Sequence, residues 1–238
     1  VPTPIQDLVL PELAKGEDRI IIAPTGSGKT MAGILPLFDR CLREEWKPLS
    51  ILYITPLRAL NRDIDRRLRE LAEAVGLKVD VRHGDTPQSQ RTKQTRKPPH
   101  LLVTTPETFQ LMFSGKNLRA MLKTVKAVVV DEVHDLAASE RGWQLSVGLA
   151  RLEALTGTAV QRLGLSATVG NPDEVAQWLS PLAKQGTQKT KLFHVATKAG
   201  IAVDKKTGRR YFDNSPAYLQ AELDASLARL GVDYVDLY

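Results

Sequence analysis

Six short runs rich in β-branched and aliphatic residues, each separated from the next by helical periodicity, constrain this chain more than any other feature. They span residues 19–23, 50–55, 78–83, 101–105, 125–130 and 161–166. Several are continuously apolar, as strands buried on both faces must be. After Pro56, the residues Leu57, Leu60, Ile64, Leu68, Leu71 and Val75 recur at steps of three and four. Charged residues fill the gaps, including Arg58, Arg62, Asp63, Arg66, Arg67 and Glu70. That is an amphipathic helix. The alternation predicts an α/β fold, with a parallel sheet and helices on both faces. In such sheets ligands sit beyond the carboxyl ends of the strands, so chemistry should follow each strand directly.

Composition narrows the possibilities further. At 238 residues, 42% hydrophobic and 25% charged, the chain can bury a core without covalent staples. Its single cysteine, Cys41, excludes an intramolecular disulfide framework and a cysteine-based metal site. A reducing, cytoplasmic setting is the expectation. No apolar run approaches the ~20 residues needed to span a bilayer, so no membrane partner is expected. The net charge of +6 is compatible with a polyanionic partner. The chain opens on Val1, which suggests that the natural start lies upstream. Residues 183–191 are rich in Lys, Gln, Thr and Gly and read as a linker or junction. They divide residues 1–182 from a tail, 192–238.

After the first strand comes Ala23-Pro24-Thr25-Gly26-Ser27-Gly28-Lys29-Thr30. This is a P-loop with Ala in the first glycine position. Gly26 and Gly28 let backbone amides wrap phosphate oxygens, and the following helix points its positive end at them. Lys29 would reach the β- and γ-phosphates, and the Thr30 hydroxyl would hold Mg²⁺. Such a loop needs a carboxylate at the end of another buried strand. Residues 127–130 run into Asp131-Glu132-Val133-His134. Asp131 would hold Mg²⁺ and Glu132 would polarise the attacking water. ATP and Mg²⁺ are therefore the expected cofactors, with Lys29, Asp131 and Glu132 as catalytic residues. His134 is left between contact with ATP and a polar residue that merely follows the strand.

Together these residues resemble the first RecA-like motor domain of a superfamily-two helicase with a DEVH box, and most of all the large helicase-related (Lhr-type) group. The resemblance covers about residues 1–180, motif by motif in order. Pro2-Thr3-Pro4-Ile5-Gln6 is similar to the Q motif, which implies that Gln6 reads the adenine edge. Ala23 to Thr30, with Thr25, Gly26, Ser27, Gly28, Lys29 and Thr30, is similar to motif I. Thr55-Pro56-Leu57-Arg58-Ala59-Leu60 resembles motif Ia, Thr105-Pro106-Glu107 motif Ib, and Ser166-Ala167-Thr168 motif III, which implies coupling of ATP state to strand movement. The resemblance further implies that Arg58, Gly84, Asp85, Thr86, Thr105, Pro106 and Glu107 grip a sugar–phosphate backbone without sequence preference. A basic segment, 91–97, would add to that grip or be a solvated loop. The implied partner is single-stranded or partly duplex nucleic acid, whether DNA, RNA or a hybrid. A complete motor also needs a second RecA-like domain, for which the residues after 180 are too few.

The tail reads differently. Ser215 suits an N-cap, Pro216 the first helical turn, and Leu219, Leu223, Leu227 and Leu230 one apolar stripe. With strands expected at 192–197 and 232–238 this is a short, separate βαβ segment. Its residues 195–198 and 225–238 resemble part of an aldo-keto reductase barrel, which implies that Lys198 matches a catalytic lysine. The other residues that such a reductase needs have no counterpart here. The chain thus reads as a chimera of two partial proteins. Three functions stay in view: the ATP-binding half of a helicase motor, a nucleotide- and nucleic-acid-binding module without turnover, and an NADPH-dependent reductase fragment. The P-loop favours the first two.

Overall fold

A computed structural model describes residues 2–56, 62–137, 139–167, 172–179, 201–203, 210–213 and 215–230. The helix α1 (Pro4–Leu13) comes first, with Pro4 opening it. Six strands then alternate with helices: β1 (Arg19–Ile22), α2 (Lys29–Arg43), β2 (Ile51–Ile54), α3 (Arg62–Ala74), β3 (Val79–Arg82), α4 (Gln88–Arg96) and β4 (Leu101–Thr104). They continue with α5 (Pro106–Met112), α6 (Lys116–Leu122), β5 (Ala127–Val130), α7 (Val133–Ala137), α8 (Glu140–Thr156), β6 (Gln161–Ser166) and α9 (Pro172–Leu179). The expected strands are all present, trimmed by a residue or two at most of their ends.

The six strands form one sheet in the order β1-β6-β5-β2-β4-β3, and every neighbouring pair is parallel. Alternate residues of each strand point to opposite faces. Ile51 and Tyr53 join Ile21, Val129 and Leu165 in a core closed by α1, α2 and α3. Leu52 and Ile54 join Ile20, Val128 and Val130 in a second core, closed by α5 to α9. Two apolar faces explain why the strand sequences read as continuous hydrophobic runs rather than alternating ones. Both cores draw only on residues from Leu13 to Leu179 among those described.

The strand order divides the carboxyl edge of the sheet into two halves. The ends of β1, β6 and β5 are adjacent, which gathers the loop 23–30, Ser166 and Asp131. The ends of β2, β4 and β3 follow, which gathers Thr55, Thr105 and the 84–86 loop. Sequence order alone does not separate these two groups, because it interleaves them.

Two expectations need correction. The basic segment 91–97 is no loop: it is helical to Arg96, within α4, and Gln94 is buried with its Nε2 donating to the Val81 carbonyl at 2.8 Å. In the tail, the described residues add an antiparallel hairpin that the βαβ reading lacks: β7 (Ile201–Val203) and β8 (Arg210–Phe212). It precedes α10 (Pro216–Leu230), whose start matches the expected cap, since the Tyr218 N–H donates to Ser215 Oγ at 3.4 Å. The strands expected at 192–197 and 232–238, Lys198 and the junction 183–191 lie outside the described residues.

Candidate nucleotide and strand-binding edge

The phosphate loop lies between β1 and α2, as expected. Gly26 has φ +79° and Gly28 φ +92°, backbone that side-chain-bearing residues adopt only at a cost. A Cβ at Gly26 would meet no atom within 4 Å, so the loop is open there. Ser27 Oγ is buried without a hydrogen-bond partner. Lys29 is only 6% exposed, forms no ion pair with any described residue, and makes one long bond from Nζ to the Ala23 carbonyl, 3.4 Å. A buried ammonium so poorly compensated is costly unless an anion joins it. An open Gly26, an orphaned hydroxyl and an unpaired cation together fit a phosphate chain.

Gln6 is in place but engaged. Its Oε1 accepts from the Thr3 N–H at 3.0 Å and its Nε2 donates to the Gly28 carbonyl at 3.3 Å. It therefore ties the start of α1 to the phosphate loop. One Nε2 hydrogen remains for a further acceptor.

The carboxylates stand at the end of β5. Asp131 is 3% exposed. One of its oxygens accepts from the Glu132 N–H at 2.9 Å and the other from the Tyr53 hydroxyl. Burial raises the Asp131 carboxyl above its ordinary range. Burial also raises that of Glu132, with the neighbouring Asp131 charge adding to it. Glu132 has φ +47°, a left-handed conformation for a residue with a side chain. Such backbone strain is commonly held at sites where direction of a side chain matters. Lys29 is close enough for its charge to oppose both rises.

Two further strand ends meet this pair. His134 Nδ1 lies 2.8 Å from Ser166 Oγ and 3.5 Å from Glu132 Oε2, so the end of β6 is wired to the acidic segment. His134 thus bridges Ser166 and Glu132. Ala167 follows Ser166, and Thr168 lies outside the described residues. The Tyr53 hydroxyl is pushed well above the usual phenol range, first by burial and then by the Asp131 charge, and the Thr30 side chain at the start of α2 is near enough to oppose that rise. Asp131 is thus held by Tyr53, a residue that the sequence reading did not single out. Its only advance signal is a phenol in an otherwise aliphatic buried strand, which implies an acceptor nearby. No group of three or more metal-ligating His, Cys, Asp or Glu side chains occurs among the described residues.

The other half of the edge is more occupied than expected. Thr105 caps α5, its Oγ1 accepting from the Thr108 N–H at 3.3 Å, and Pro106 is the first helical residue. Glu107 is paired with Arg141 from α8. In the loop after β3, Arg91 donates to the carbonyls of Thr86 (2.8 Å), His83 (3.1 Å) and Gly84. Thr86 Oγ1 accepts from the His83 N–H at 2.8 Å. Asp85 projects its carboxylate outward, 85% exposed. Arg91, in the basic segment left between a strand grip and a solvated loop, braces the 83–86 loop through these three carbonyls. Arg58 lies outside the described residues.

A parallel sheet with a P-loop after its first strand and an acidic strand end two positions away defines a RecA-like nucleotide-binding domain. The sequence profile of the DEAD/DEAH box helicase family matches residues 3–175. The chain belongs to that family. It is 42% identical over 199 residues to the Lhr helicase/uracil glycosylase of Escherichia coli, covering 75% of this chain and 13% of that protein. It is 38% identical over 239 residues to ATP-dependent helicase Lhr-Core protein 2 of Thermococcus barophilus, covering 92% of this chain and 28% of that protein. The structure of the Mycobacterium smegmatis helicase Lhr bound to ssDNA and AMP-PNP superimposes with a TM-score of 0.69 at 36% identity, over 96% of this chain and 31% of that one. The chain therefore spans less than a third of these relatives. The last two matches take in more of it than residues 1–190. No helix among the described residues is long and apolar enough to cross a membrane.

Proposed function

We propose that the chain is the ATP-binding half of a nucleic-acid helicase motor, in which ATP hydrolysis drives movement along DNA or RNA. The observation that carries the reading is the buried, unpaired Lys29 beside the buried Asp131. In this reading Thr25, Gly26, Ser27 and Gly28 cradle the phosphates through backbone amides, and Lys29 neutralises the β- and γ-oxygens. Thr30 and Asp131 hold Mg²⁺, which supplies charge neutralisation at the transferring phosphoryl group. Glu132 orients the attacking water and takes its proton, and its raised carboxyl pKa suits a base. Gln6 uses its remaining hydrogen on the adenine edge while holding Gly28, so base occupancy is felt at the phosphate loop. Ser166, with Ala167 and Thr168, carries the nucleotide state from His134 toward β6.

The strand is gripped at the ends of β2, β4 and β3 by Arg58, Gly84, Thr86, Thr105 and Pro106. The exposed Asp85 and the paired Glu107 shape this edge rather than contact phosphate, since like charges repel. What supports a strand at all is the family, the positive net charge and the ssDNA in the Mycobacterium smegmatis relative. A second RecA-like domain, absent from residues 1–180, would complete the cleft. A missing arginine finger typically costs about 10³–10⁵ in rate. The isolated chain should accordingly bind nucleotide and turn over very slowly, in a cytoplasmic setting. That makes the module without turnover the second reading.

For residues 192–238 we propose a segment separate from the ATP-binding domain. Its support is that, among the described residues, the buried cores run from Leu13 to Leu179, together with the reductase-like run 225–238. The two relatives aligned beyond residue 190 favour instead a natural continuation of the helicase chain. Strand-stimulated ATP hydrolysis, measured with Lys29→Ala and Glu132→Gln beside the unaltered chain, tests the function. Stimulation abolished by both changes supports the motor. NADPH oxidation with an aldehyde would overturn the account of the tail as catalytically inert.

A further inference from the structure

Tyr53 is fully buried in β2, its ring in the core beneath α1, α2 and α3. A buried phenol needs a partner for its hydroxyl. This one donates to Asp131 Oδ2, with the Thr30 side chain nearby. Asp131 Oδ1 accepts from the Glu132 N–H at 2.9 Å. Both oxygens of the carboxylate are therefore held by hydrogen bonds, and each keeps a lone pair for a further partner. Tyr53 belongs to β2 and Asp131 follows β5, so the bond joins two elements.

We propose that Tyr53 is a positioning residue for the divalent-cation site, fixing the Asp131 carboxylate. The proposal rests on the reading of Thr30 and Asp131 as the Mg²⁺ holders. Groups behind a metal ligand typically change metal affinity about 10–100-fold when removed. A phenylalanine keeps the ring and the core, and removes only the oxygen.

The test is equilibrium binding of mant-ATP to the whole chain, in EDTA and across a Mg²⁺ titration. The unaltered chain should bind more tightly with Mg²⁺. Tyr53→Phe should keep the EDTA affinity within about twofold and raise the Mg²⁺ midpoint about tenfold. In an Asp131→Asn background the same change should leave the midpoint where it is, because Tyr53 acts through Asp131. A purely structural tyrosine would lower the melting temperature with an unchanged Mg²⁺ midpoint, which overturns the proposal. If the unaltered chain itself gains nothing from Mg²⁺, the reading of the site has failed, and the proposal with it. An arm that does not depend on the variant's folding is 3-fluorotyrosine at position 53. Its ¹⁹F resonance should move on adding Mg²⁺ with mant-ATP and stay with mant-ATP in EDTA. An identical spectrum in both overturns the proposal.

Discussion

Adding one carbon at Gly28 tests how tightly the phosphate loop is tied to α1. At φ +92° an alanine is strained whatever the space, at roughly 1–2 kcal/mol for left-handed backbone. The space is also taken: a Cβ there would lie 2.7 Å from Gln6 Nε2 and 3.0 Å from Thr3 Oγ1. Gln6 must swing away, and its 3.3 Å bond to the Gly28 carbonyl is lost, at about 1 kcal/mol. Gly28→Ala should therefore destabilise the domain by about 2–3 kcal/mol, a fall in Tm of about 5–10 °C for a chain of this size. Gln6→Ala alone should cost about 2 kcal/mol, since it also removes the acceptor of the Thr3 N–H. Simple addition predicts about 4–5 kcal/mol for the double variant. Because the bond to Gly28 is lost only once, the double variant should instead cost about 3–4 kcal/mol, a coupling of about 1 kcal/mol. Urea unfolding of the four proteins, read by circular dichroism, supplies the cycle. Costs that add to within about 0.5 kcal/mol would refute the contact, and a Gly28→Ala cost below that figure would refute the strain.

Ser166→Ala removes the hydroxyl 2.8 Å from His134 Nδ1; ATP affinity should stay within about twofold, while strand stimulation of hydrolysis falls, since the bond links segments rather than binding phosphate. Burial raises the Asp131 carboxyl in the folded state, so the folded chain holds that proton to higher pH than the unfolded chain. Stability from this group is present below its unfolded value and declines as pH rises through the folded one. Urea unfolding from pH 4 to 7 should show Asp131→Asn gaining stability over the unaltered chain as pH rises; a constant difference would contradict the burial account. Ending the chain after residue 190 should shift Tm by less than about 2 °C, because both cores lie before it. A larger fall would make the tail part of the fold.

The strands were legible because each is buried on two faces, and a run such as Ala127–Val130 has few other uses. The phosphate loop was legible because its glycines answer a backbone requirement. Strand order was not, since parallel neighbours are chosen by packing between distant segments. Helix α4 was hidden because it lacks an apolar stripe. Its sequence, QSQRTKQTR, is polar throughout, and its support comes from Gln94 and Arg91 reaching the β3 side. Residue type drew attention to Glu107 and Arg91, but their partners could not be read from it. Glu107 meets Arg141 and Arg91 meets three carbonyls, pairings set by tertiary proximity. Tyr53 went unnoticed for the same reason: its acceptor, Asp131, is 78 positions away in sequence and on the neighbouring strand.

The central claim, that Lys29 and Asp131 form a site for Mg²⁺ and a nucleoside triphosphate, is tested most directly by calorimetric titration of the whole chain with a non-hydrolysable ATP analogue and Mg²⁺. The account predicts one site per chain, weakened at least about tenfold by Lys29→Ala through loss of a charge-assisted contact, and retained in Glu132→Gln, which alters the water rather than the phosphates. Equal affinity in the unaltered chain and in Lys29→Ala would contradict it.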